Sequence, residues 1–139
     1  MQEKSGNAFG VAAEGKIIVA GGEDCESVLK TSCEMFNIST NQWQFIGSLT
    51  IRRKYGSMVC LKGTLFVLGG TDRIGRSQLC VECYDPTEDK WIKKTTIPVK
   101  MISEDNKDTF TGCVLKLSKG VLDKLDVIKV HLAPNFFFR

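Results

Sequence analysis

The chain repeats itself. Ala20-Gly21-Gly22 recurs as Leu68-Gly69-Gly70, Glu34-Met35-Phe36-Asn37 as Glu82-Cys83-Tyr84-Asp85, and Trp43 as Trp91, always 48 residues apart and without a gap. Gly15 and Gly63, Val19 and Val67, and Asp24 and Asp72 keep the same spacing. A fixed period of this length marks architectures that stack one small unit many times over. Whatever the unit is, its second copy must fold like its first.

The signals inside the unit are β signals. Asn7–Ala13, the turn Glu14-Gly15-Lys16 and Ile17–Gly22 read as strand, tight turn, strand, and Gly63 supplies the matching turn before Thr64–Gly70. Polar loops Glu23–Lys30 and Thr71–Gln78 lead to third strands over Ser32–Asn37 and Cys80–Tyr84. Turns at Ile38–Gln42 and Pro86–Lys90 then open fourth strands at Trp43 and Trp91. Residues 1–94 show no helical period. Four antiparallel strands are the content of one propeller blade. The run Ile17-Ile18-Val19-Ala20 is apolar without alternation, so both faces of that strand are expected to be buried. The glycine pair that ends it lets neighbouring backbones approach. Phe36, Tyr84 and the two tryptophans are expected to fill the space between stacked sheets.

A doubled Gly closing an apolar strand, an aromatic followed by Asn or Asp, and then a Trp together resemble the Kelch repeat. The resemblance covers residues 7–94, and Leu49-Thr50-Ile51-Arg52-Arg53-Lys54-Tyr55-Gly56 is similar to the linker between Kelch blades. It implies an all-β chain, an incomplete Kelch-type β-propeller of two four-stranded antiparallel blades plus a degenerate third. The expected organisation is a first repeat over 1–54, a second over 55–100, a degenerate partial repeat over 101–126 and an irregular tail over 127–139. In the third copy Thr111–Leu117 stands in for a first strand, but no Gly-Gly and no Trp follow. At this period 139 residues make about 2.9 blades, whereas propellers close with about four to eight. An open arc is therefore expected, with strand edges and apolar blade faces left uncovered.

Composition narrows the chemistry. A net charge of +3 is too weak to indicate nucleic-acid binding, and no apolar run approaches a membrane span. No apolar secretory segment follows Met1, so the six cysteines are read as reduced thiols of a cytoplasmic protein. Cys80-Val81-Glu82-Cys83 has a metal-like spacing, but strand residues three apart point to opposite faces. The one histidine, His131, leaves metal, cofactor and nucleophilic-triad templates without candidates, so no enzyme activity and no cofactor are expected.

The charge is concentrated. Residues 50–79 carry six basic side chains and one acidic one. Arg52, Arg53 and Lys54 lie on the linker, and Asp72, Arg73 and Arg76 on the loop after the second Gly-Gly. The Kelch resemblance implies that these two loop types emerge on one face, the face that carries the partner site. Arginines there favour carboxylates, so a protein partner with an acidic segment is expected. Plain solvation of the loops is the alternative, with Arg53 bracing the neighbouring blade. The function implied is a non-catalytic protein–protein interaction module, resembling the substrate-recognition part of Kelch-like adaptors of cullin-RING ubiquitin ligases. Cullin contact would run only through a BTB domain, for which the stretch before Ser5 has no room. The alternatives are an actin-associated cytoskeletal Kelch protein and a truncated product without independent function.

Overall fold

The computed structural model describes residues 1–96. The expected partial repeat over 101–126 and the tail over 127–139 lie outside the described residues. Eight strands follow one another: β1 (Phe9–Ala13), β2 (Lys16–Ala20), β3 (Cys33–Asn37), β4 (Gln42–Ile46), β5 (Lys54–Leu61), β6 (Thr64–Thr71), β7 (Cys80–Asp85) and β8 (Lys90–Thr96). They form two four-stranded antiparallel meanders, β1-β2-β3-β4 and β5-β6-β7-β8. The architecture is the expected one, an all-β incomplete propeller of two blades.

The pairing register repeats with the sequence, except that a β-bulge between Val81 and Glu82 shifts the β7–β8 pairing where β3–β4 runs without one. Val19 faces Glu34 as Val67 faces Glu82, and Phe36 faces Trp43 as Tyr84 faces Trp91. Both aromatic pairs are tilted, with centroids 5.1 Å and 5.3 Å apart, the separation at which ring quadrupoles attract. The β3–β4 and β7–β8 turns are held alike: Asn37 Oδ1 accepts from the N–H groups of Ser39 and Thr40, and Asp85 Oδ1 from those of Thr87 and Glu88. Asn37, which heads an Asn-Ile-Ser sequon, thus has a structural task as a turn cap.

The blades meet along β1 and β5. Phe9 enters the seam, and a Cβ on Gly21 would lie 2.8 Å from its ring and 2.4 Å from the Arg53 carbonyl. Only glycine permits that approach. Phe9, Ile18, Ala20, Cys33 and Ile46 of the first blade pack with Met58, Val67 and Trp91 of the second in one core. A second cluster, Phe66, Leu68, Val81 and Cys83, covers the opposite face of the second sheet. The two tryptophans differ, contrary to the equal core roles expected: Trp91 is buried, and Trp43 is half-exposed. Among the described residues, no sheet lies against the face that carries Trp43.

Candidate functional site

The loops between β2 and β3 and between β6 and β7 are built on the same turn. Asp24 Oδ1 accepts from the N–H groups of Glu26 and Val28, each at 2.9 Å, and Asp72 Oδ1 from those of Ile74 and Arg76 at 3.0 and 2.9 Å. The backbone repeats the pattern, with Asp24 N–H donating to Val28 O and Asp72 N–H to Arg76 O. Ser27 and Gly75 both take positive φ. At the loop bases Lys30 N–H donates to Gly22 O and Gln78 N–H to Gly70 O. Each loop is therefore held by its backbone and one inward carboxylate. The side chains at 25, 26 and 28, and at 73, 74 and 76, are exposed.

The linker from β4 to β5 is laced to the first loop. Leu49 N–H donates to Thr31 O, and Gly22 N–H to Arg53 O. Lys54, at the end of the linker, pairs with Thr71 at the base of the second loop, so the linker adjoins both loop bases. The six residues singled out by charge belong to this linker, the start of β5 and the second loop. They divide into four groups. Arg52, Arg73 and Arg76 are exposed and take part in no ion pair among the described residues. Asp72 is spent on its own turn. Lys54 closes on Glu23 at 2.9 Å and draws that carboxyl below its ordinary range, helped by Asn7. Arg53 departs from the expected surface position altogether.

Arg53 is fully buried. Its Nη2 donates to Glu82 Oε1 at 2.8 Å, and its Nη1 to the carbonyls of Gly69 and Cys80 at 3.0 and 2.9 Å. The other carboxylate oxygen of Glu82 accepts from Thr50 N–H at 2.6 Å. A buried guanidinium is tolerated only when paired and hydrogen-bonded like this. The side chain ties the linker to β6 and β7 and has no surface to offer a partner. Bracing, the alternative weighed for Arg53, is what the geometry shows.

The cysteines play no joint role in this surface. Burial pushes the Cys33 thiol up to about 12, and Cys83 is raised for the same reason. Cys83 sits in the second cluster, while the half-buried Cys80 turns its thiol to the Val81 carbonyl. Three further side chains are exposed on the two loops and are not marked by charge clustering: Ile74, 68% exposed, on the second, and Glu26 and Val28 on the first. A count of turn positions against the 48-residue register would have found them.

Comparison with known proteins supports the blade assignment. The Kelch motif matches residues 6–50 and again 52–97. Mouse Kelch-like protein 25 is 34% identical over 87 residues, 63% of this chain and 14% of that protein. Beta-scruin of Limulus polyphemus is 32% identical over 91 residues, 61% of this chain and 10% of that protein. The chain thus spans a small fraction of the relatives it matches. A solved structure titled "Structure of YjhT" superposes with a TM-score of 0.58 at 14% identity, covering 68% of this chain and 39% of that one, a likeness of fold alone. No helix among the described residues is long and apolar enough to cross a membrane. Two motif matches in the register that the strands themselves keep make this chain a member of the Kelch-repeat family.

Proposed function

We propose that the chain is the substrate-recognition part of a cullin-RING ubiquitin ligase adaptor, non-catalytic and cytoplasmic, and that it captures proteins bearing an acidic segment. Kelch repeats generally mediate protein–protein binding, and the similarity to Kelch-like proteins supports the adaptor setting. Cullin contact belongs, in such adaptors, to a separate BTB domain. One observation carries the choice of surface: Arg52, Arg73 and Arg76 stand exposed and unpaired among the described residues, two of them on a turn fixed by its own backbone. On a loop whose backbone is already ordered, gripping a carboxylate requires only the arginine side chain to be fixed.

The test uses the chain as it is. An immobilised sample is titrated with a glutamate-rich peptide at two salt concentrations. Reversal of Arg73 and Arg76 to Glu should slow association and flatten the salt dependence, because rim charges act through steering over about a Debye length, ~8 Å at physiological salt. Unchanged rates and salt dependence would sink the reading. Co-sedimentation with actin filaments, insensitive to the same reversals, would favour the cytoskeletal alternative.

A further inference from the structure

The two loops share a scaffold but not a charge. At the three outward positions the first turn shows Cys25, Glu26 and Val28, where the second shows Arg73, Ile74 and Arg76. None of these six side chains helps to hold its turn: every bond that shapes the pair comes from the backbone, Asp24 or Asp72. Chemistry at these positions is therefore free of folding constraint, and it differs in sign. Lys54, paired with Thr71 at the base of the second loop, and Glu23, at the base of the first, answer each other at 2.9 Å. Apart from the turn carboxylates Asp24 and Asp72, which the two loops have in common, the charge left over is Glu26 on one side and Arg52, Arg73 and Arg76 on the other. Each turn also exposes one aliphatic group, Val28 at 43% and Ile74 at 68%.

We infer that this surface reads a two-signed segment laid across both turns, with carboxylates over Arg73 and Arg76, a basic residue over Glu26 and apolar side chains against Ile74 and Val28. The inference rests on the reading of this surface as the partner site and gives that partner its polarity. Packed sheets lie about 10 Å apart, and an extended chain rises about 3.3 Å per residue. The acidic and basic centres of the segment should then be separated by three to four residues. A uniformly acidic ligand would set carboxylates against Glu26 and lose there part of what it gains at the arginines.

Two synthetic peptides of equal length, one with glutamates throughout and one with glutamates followed by lysines at the stated spacing, are titrated against the immobilised chain. The two-signed peptide should bind about three- to five-fold more tightly, the scale of one exposed ion pair. Glu26→Lys should abolish that preference, and reversal of Arg73 and Arg76 to Glu should weaken both peptides. These side chains are exposed, and an unchanged circular dichroism spectrum verifies that each variant folds. Equal affinities, or a preference that survives Glu26→Lys, would overturn the two-signed reading while leaving the acidic-partner reading in place if the arginine reversals still act. Failure of those reversals would remove both.

Discussion

The two blades have the same strands, turns and aromatic pairs, yet they are not braced alike. In the second, Glu82 meets the guanidinium of Arg53. In the first, the equivalent carboxylate is Glu34, and the residue 48 before Arg53 is Ser5. Glu34 takes the N–H groups of Gln2 and Glu3 at 2.5 and 3.0 Å. Ser5 Oγ donates to Gly21 O where Arg53 Nη1 donates to Gly69 O. A hydroxyl and a second backbone donor thus do the work of a guanidinium. The faces around them differ too. Val67 and Trp91 are buried against the first blade, whereas Val19 and Trp43 are half-exposed and Phe45 is 48% exposed. A repeat specifies the pleat and the pairs; a neighbour decides what is buried.

Arg53→Ala should break the comparison most sharply. It strands a buried carboxylate, an effect of about 3–5 kcal/mol, whereas Ser5→Ala should cost about 1 kcal/mol. Denaturation midpoints that move equally in the two variants would show that the ion pair is not what distinguishes the blades. Trp91→Ala should cost about 3–5 kcal/mol as a core truncation. Its half-exposed counterpart Trp43→Ala should cost about 1–2 kcal/mol, in line with the smaller apolar area it removes from contact. Equal losses would mean that the two faces are covered alike.

Ser5→Arg tests whether the first blade can acquire the brace of the second. A gain of about 1 kcal/mol is expected, cancelled when Glu34→Gln is added. A loss instead would show that the backbone donors already saturate Glu34.

The smallest effect is an acid response at the β7–β8 turn, which adds to those of Glu3 and Glu23, whose carboxyls are also held low. The Tyr84 hydroxyl, then Gly47 N–H, holds the Asp89 carboxyl below its usual range, and the contact joins the β7–β8 turn to the linker. Its stabilisation is complete above the ordinary aspartate pKa and fades as pH falls through the lowered one. The first blade has Phe36 and Asn41 at these positions, so it has nothing there to titrate. Tyr84→Phe should lessen the acid loss of stability below about pH 4 without abolishing it, and an unaltered profile would show that the Tyr84–Asp89 contact contributes none of it.

The sequence was most readable where the two copies agree. Gly-Gly, the aromatic partners and the turn glycines placed every strand because backbone demands recur with the period. Arg53 was harder to read, since charged side chains seldom lie wholly inside and its partner is 29 residues away. One trace was present nonetheless: the glutamate repeats and the arginine does not. The unequal tryptophans had no trace within the repeat, because exposure depends on what lies beside a blade. The charged loops were legible as a cluster of basic residues, but their sorting into free, paired and buried groups required coordinates.

The Arg53–Glu82 pair also bears on how the chain would come apart. The arginine precedes the strand that opens the second sheet, yet it is anchored on the third strand of that sheet and on the carbonyls of Gly69 and Cys80. The piece expected to open and close as one in hydrogen exchange is therefore displaced from the repeat toward the N-terminus, taking in the stretch from Thr50 to Arg53. A cut between Arg53 and Lys54 would sever the second blade's staple from its sheet while sparing the interior of every strand. A cut in the 71–78 turn, which bears no such anchor, would leave the staple in place.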